Sequence, residues 1–179
     1  IVGRGQNVFF EYANLIKKLS FPRICLPFIV VLNAGLNFAI SFGLFTVFLV
    51  VTGNFPGWIF FSLFPVLAIQ ILFAIGLGIT LGVLNVFFRD VGQFFGIVLQ
   101  FWFWLTPIVY PITILPETGR ALMAWNPMAS LAVAYQTILV NGQGPLWGTL
   151  VYATITGLVL CIAGVYLFLK RSGEMVDEL

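Results

Sequence analysis

The sequence predicts an all-α membrane protein: a polytopic helical bundle with four transmembrane helices in this chain and short interfacial or re-entrant helices beside them. Three observations predict it. Of 179 residues, 61% are hydrophobic and 8% charged, and the mean hydropathy is +1.09. A soluble domain carries about 25% charged residues, so the solvent this surface suits is the bilayer. The charges gather at segment ends and leave uncharged runs of membrane-crossing length between them. Residues 85–111, NVFFRDVGQFFGIVLQFWFWLTPIVYP, set two such runs around one charged pair, Arg89 and Asp90. That pair marks a tight elbow, and Thr106-Pro107 with Pro111 marks bent backbone at the end of the second run.

Residues 1–25 form a cytoplasmic segment with half of all basic residues: Arg4, Lys17, Lys18 and Arg23. Within it, 11–19 suits a short amphipathic helix, with Tyr12, Leu15, Ile16 and Leu19 on one side and the lysines on the other. Pro22 stops it. The transmembrane domain covers 26–171. Its first span, 26–51, is long enough to cross a core of about 30 Å with some tilt. Asn33, Asn37 and Ser41 share one face of that helix, which should point at protein or water. Residues 52–57 (TGNFPG) are a turn.

The second span, 58–85, opens with Trp58 at an interfacial position. Pro65 implies a kink or a late helix start. Ala74, Gly78 and Gly82, and then Gly92 and Gly96, have the spacing that lets helix backbones approach closely in lipid. The third span is 91–110. Residues 112–142, broken by Pro116, Asn126-Pro127 and Asn141-Gly142, suit short re-entrant or outer helices, whose backbone at depth must be covered by protein or water. Pro145 opens the last span, 146–169, and 172–179 is a cytoplasmic tail. Seven of the eight basic residues fall in segments 1–25, 86–91 and 170–179, so four spans place both ends of the chain in the cytoplasm. The chain opens on Ile1 without a methionine, and a missing N-terminal part with further spans is expected.

Several chemistries are excluded. There is no histidine, hence no His metal site, His proton relay or Ser-His or Cys-His catalysis. No G-x-x-x-x-G-K-[S/T] phosphate loop occurs, no metal-ligand spacing is present, and no carboxylate falls inside a span. Cys25 and Cys161 should lie far apart, so a disulfide is not expected.

Three features could carry function. Arg89 and Asp90 are either a charge anchor on the cytoplasmic side or a docking contact for a cytoplasmic partner. As neighbours on a helix they do not face each other. Phe101, Trp102, Phe103 and Trp104, with Tyr110, point all round a helix, so some face lipid as belt residues. Any that face inward offer flat apolar surfaces with polar tips, on which sugar rings stack. The basic helix at 11–19 is either a lipid-surface helix or the lever by which a cytoplasmic protein moves the spans.

These residues together resemble the membrane (permease) subunits of ABC type 2 transporters that export O-antigen, capsular polysaccharide or teichoic acid. The resemblance rests on Tyr12-Ala13-Asn14-Leu15-Ile16-Lys17-Lys18 followed by Phe21-Pro22-Arg23 and Leu26-Pro27, and on the elbow Phe88-Arg89-Asp90. It rests also on Thr106-Pro107-Ile108-Val109-Tyr110-Pro111, close to the family's SPIxYP with Thr for Ser, with Leu115-Pro116 and Asn126-Pro127 following. The resemblance implies a six-span subunit of which this chain is the last four, a homodimer around the channel, and two separate ATP-binding cassette ATPase subunits below. ATP and Mg would be bound there, with no cofactor in this chain. It places Asn14, Leu15, Ile16, Lys17, Lys18, Phe21, Pro22 and Arg23 at the ATPase-coupling contact, and residues 112–142 at the outer gate. Phe101, Trp102, Trp104, Thr106, Pro107, Tyr110 and Pro111 would line the substrate path or that gate.

The expected function is a permease subunit, not an enzyme, moving polysaccharide or lipid-linked glycan across the bacterial inner membrane, in contact with lipids and with no nucleic-acid partner. The alternatives are an exporter of drugs or lipids, against which the aromatic run and the PIVYP ending argue, and an intramembrane lipid-linked sugar-processing enzyme. The enzyme would need acid–base or metal-binding groups, and the loops at 52–57 and 86–91 offer only Asp90.

Overall fold

The computed structural model describes residues 1–7, 25–53, 55–88, 90–108, 110, 112–171 and 174. Among them every regular element is helical. In order these are α1 (Val2–Gly5), α2 (Cys25–Val51), a 3-10 turn (Gly57–Ser62), α3 (Leu63–Phe87), α4 (Asp90–Leu105), a second 3-10 turn (Ile112–Ile114), α5 (Glu117–Met123), α6 (Pro127–Leu139) and α7 (Trp147–Arg171). Three stretches are long and apolar enough to cross a membrane: Ile29–Val51, Gly57–Phe87 and Trp147–Arg171.

Proline sets two boundaries. Pro65 sits in the first turn of α3, where a missing N–H costs nothing. The α-helix therefore starts at Leu63, and the preceding residues 57–62 take the tighter 3-10 form. At the other break, Pro107 disfavours helix at Thr106. So α4 stops at Leu105, where the sequence suggested a span reaching 110. Its 16 residues rise about 24 Å, short of a hydrocarbon core of about 30 Å.

The frame of the molecule is the pair α3 and α7, which run parallel. Phe73 faces Gly157, Gly76 faces Leu160 and Cys161, and Thr80 faces Gly164, so partners advance together along both helices. A Cβ on Gly76 would lie 2.5 Å from the Cys161 backbone nitrogen, and one on Gly157 would lie 3.2 Å from Phe73 Cα. Thr80 Oγ1 donates to Gly76 O at 2.8 Å and to Leu160 O at 3.3 Å, spending its hydroxyl within the contact. The far ends meet as well: Phe168 packs with Val83 and Val86, and the Arg171 guanidinium lies over the Phe87 ring. The close approach thus uses Gly76, Gly157 and Gly164. Gly78, which the small-residue spacing also selected, faces a different element, with Gly5 of α1 against it.

The remaining helices dress this pair. Val91, Phe95 and Trp102 of α4 pack beside Leu81, Leu77 and Phe73, so α4 runs antiparallel to α3. Helix α6 starts near Phe73 through Met128 and ends at the Leu63 and Val66 level, where Leu131, Ala134 and Ile138 meet Leu150 and Ala153. By contrast α2 touches the bundle at few points. Phe42 stacks on Phe60 at 5.7 Å, while Leu32, Leu36, Ile40 and Leu44 are all exposed. Asn33 and Asn37 lie on that exposed helix and bond each other, Asn37 Nδ2 to Asn33 O at 3.0 Å and to Oδ1 at 3.1 Å.

Gly76→Ala should lower unfolding stability in mild detergent by about 1–3 kcal/mol, the usual cost of overpacking. Gly96→Ala, at a site with nothing within 4 Å, should stay within about 0.5 kcal/mol of the parent. A chemical-denaturation titration of both variants checks the contrast.

Candidate functional site

The last turn of a helix leaves carbonyls without partners, and inside an apolar bundle such groups must be met. The end of α4 meets them with side chains. Thr106 Oγ1 donates to Trp102 O at 2.8 Å, Tyr110 OH donates to Leu105 O at 3.2 Å, and Gln136 Nε2, from α6, donates to Pro107 O at 2.8 Å. Asn126 ties the pieces together. As N-cap of α6, its Oδ1 accepts from Met128 N at 3.0 Å and from Trp102 Nε1 at 2.9 Å, and its Nδ2 donates to Thr106 Oγ1 at 3.3 Å. The amide orientation follows from chemistry, because an indole N–H can only donate. Pro127 at the first helical position presets the backbone for α6. Thr106 is 2% exposed and Pro107 fully buried, and the Trp102 ring meets Phe73 edge-on at 6.1 Å.

Beside this joint lies a cavity of about 770 Å³ between α2, α3, α4 and the first residues of the chain. Its walls include Leu36, Phe73, Leu99, Trp102 and Phe103, its polar edge is Gln70 with Thr106, and among the described residues no charged side chain lines it. A smaller cavity of about 250 Å³ continues from the same Gln70 and Thr106 edge to Tyr135 and Gln136. There Tyr135 OH donates to Gln70 Oε1 at 2.7 Å.

A second joint lies at the opposite end of α3, between α3 and α4. Asn85, 3% exposed, accepts from Gly92 N on Oδ1 at 2.7 Å and donates from Nδ2 to Gln6 O at 2.9 Å and Asn7 Oδ1 at 3.2 Å. Gln6 Nε2 donates to Gly92 O at 3.2 Å. A Cβ on Gly92 would stand 2.6 Å from Asn85 Oδ1, so only glycine lets the amide in.

Residues 1–140 match the ABC-2 type transporter family. The chain belongs to that family. Among curated proteins it is 33% identical over 177 residues to an "O-antigen export system permease protein RfbA" of Klebsiella pneumoniae, covering 96% of this chain and 66% of that protein. It is 35% identical over 181 residues to the Myxococcus xanthus protein of the same name, covering 99% of this chain and 69% of the relative. The chain thus spans about two thirds of the length of the relatives it matches.

Within this ABC-2 chain the structure brings together Trp102, Thr106 and Pro107 around Asn126, and sets Tyr110 against the end of α4. Phe101 and Trp104, 65% and 66% exposed, point away from the joint and line neither cavity. Asp90 is the exposed first residue of α4, where a carboxylate suits the positive end of the helix dipole. Arg89, Pro111 and the coupling residues Asn14, Leu15, Ile16, Lys17, Lys18, Phe21, Pro22 and Arg23 lie outside the described residues. Asn126, Gln136, Gln70 and Gln6 are site residues that the sequence did not single out for a role. Asn126-Pro127 was legible as a break within 112–142, but nothing local announces that the amide reaches Trp102.

Trp102→Phe and Asn126→Ala remove the two sides of one hydrogen bond. Measured singly and together by thermal unfolding, they should show a coupling energy of about 0.5–3 kcal/mol. Simple additivity would show that the contact carries no stability.

Proposed function

We propose that this chain is the membrane core of a permease subunit in an ATP-driven ABC exporter that moves polysaccharide or lipid-linked glycan of the O-antigen, capsule or teichoic acid type across the bacterial cytoplasmic membrane. The observation that carries the reading is the cavity walled by Trp102 and Phe103 and edged by Gln70 and Thr106, with no charged side chain in its lining among the described residues. A neutral polymer with apolar C–H faces and hydroxyl edges suits such a lining. The names of the relatives point the same way.

Four crossings support this role better than three. Because α3 and α7 run parallel, the chain from 88 to 146 crosses back an odd number of times. Helix α4 makes that crossing, and the capped backbone at Thr106 to Tyr110 supplies what its 16 residues leave uncovered. Helix α6, starting at mid-depth on α3 and climbing outward, then serves as the re-entrant element, its buried start covered by Asn126. Lys170 and Arg171 at the end of α7, level with Phe87, support a reading in which this end of α3 and α7 faces the cytoplasm. In this reading the chain is the last four of six spans, two copies enclose the path, and ATP hydrolysis in two partner ATPase subunits drives it through residues 14–23.

Phe103 lines the path and makes no hydrogen bond that its loss would break. In cells carrying the complete subunit, Phe103→Ala should slow surface glycan export about 2- to 10-fold, the worth of one aromatic contact, with membrane abundance unchanged. Trp104→Ala, on the outward face, should leave export at the parental rate. Immunoblotting of surface glycan against membrane-fraction subunit checks both. Equal, unimpaired export in the two variants would remove Phe103 from the path.

A further inference from the structure

We propose that Gln6, Asn85 and Gly92 form the mechanical link that carries motion of the cytoplasmic segment into the α3–α4 elbow. This inference rests on the exporter reading above. Two stretches far apart in sequence converge here: residues 5–7, and the elbow made of the last turns of α3 and the first turn of α4. They are joined by backbone and amide groups with no charge among the linking atoms. The contact is stiff on one side. A Cβ on Gly5 would lie 3.2 Å from Gly78 Cα, so the N-terminal segment rests backbone against backbone on α3 with no flexible side chain between them. It is also directional. Asn85 reaches the elbow with its oxygen, through Gly92 N, and the N-terminal segment with its nitrogen, through Gln6 O and Asn7 Oδ1. One amide therefore holds both bodies, and neither can shift without the other while its bonds persist.

The location gives this arrangement a task. Asn7 precedes the proposed ATPase contact, which opens at Asn14, by seven positions. On the other side of the link, α4 leads straight to Trp102 and the Asn126 joint. A displacement of the N-terminal segment thus has a hydrogen-bonded route to the base of the helix that walls the cavity. Gln6 is the lighter strand of that route. It gives one bond, Nε2 to Gly92 O, and its Oε1 is buried with no partner among the described residues. Replacing it with an apolar side chain of similar size therefore removes the direct bond from the N-terminal segment to α4, leaving those of Asn85 in place, at little cost to folding.

Two variants separate linking from folding. Gln6→Leu cuts the strand to Gly92 O. Asn85→Asp keeps an oxygen for Gly92 N but, as a carboxylate, cannot donate to Gln6 O or Asn7 Oδ1. Both are placed in the complete subunit, purified with its ATPase and reconstituted in liposomes with the glycan the parental cells export. Each complex should keep its stoichiometry and at least half of the parental ATPase rate, with the melting temperature parental in Gln6→Leu and lowered in Asn85→Asp, whose carboxylate is buried. The glycan moved per ATP hydrolysed should fall about tenfold, within the range of typical coupling energies. A melting temperature and a glycan-per-ATP ratio both at parental values in Gln6→Leu would overturn the link, whatever Asn85→Asp does. Should Asn85→Asp fail to assemble, Gln6→Leu decides alone. A parental complex that contains no ATPase or moves no glycan would instead overturn the exporter reading.

Discussion

The contact that everything else presupposes is the backbone-to-backbone approach of α3 and α7 at Gly76. With the Cys161 nitrogen 2.5 Å from where a Cβ on Gly76 would stand, the two helices are held closer than side chains normally permit. In lipid, where apolar burial gives helices little reason to associate, such close packing is the main attraction available. It fixes the two as a parallel pair, and that in turn dictates the rest of the path. The segment between them has to return to the starting side, so α4 and the short helices after it must accomplish in broken backbone what a longer helix would do alone.

Broken backbone among apolar neighbours carries a cost that the amides and hydroxyls offset. At the end of α4 Tyr110 and Gln136 donate to the Leu105 and Pro107 carbonyls, Thr106 adds a bond to Trp102 O, and Asn126 ties the Trp102 and Thr106 side chains together. At the elbow, Asn85 and Gln6 bond the Gly92 backbone. Neutral hydrogen-bonding residues thus do the fixing at both joints, and among the described residues the cavity between them has a lining without charged side chains. A path for a polymer needs that combination: walls that do not trap it electrostatically, held rigidly by groups that are themselves satisfied.

Much of this was legible in the sequence, for physical reasons that can be named. Uncharged runs declared the long helices, and Pro65 and Thr106-Pro107 marked breaks in the backbone, because proline acts locally, although the third span was expected to run on to 110. The family motif around Pro107 marked the bent end of α4. What local pattern could not show was register. The spacing of Ala74, Gly78 and Gly82 signalled close packing, yet the helix turns Gly76 to α7 and Gly78 to Gly5, a choice made by the partner helices. Four consecutive aromatics could not reveal which ring faces inward. That depends on Asn126 reaching Trp102 across 24 positions, a contact no periodicity encodes.

The reading as a whole stands on whether this membrane core works with an ATPase on a glycan. The most direct measurement is ATP-dependent uptake of lipid-linked glycan into inside-out proteoliposomes holding the complete subunit and whatever ATPase co-purifies with it. The account predicts a stoichiometric ATPase and glycan accumulation that needs ATP hydrolysis. A subunit that purifies without an ATPase, with glycan distribution indifferent to ATP, would contradict it.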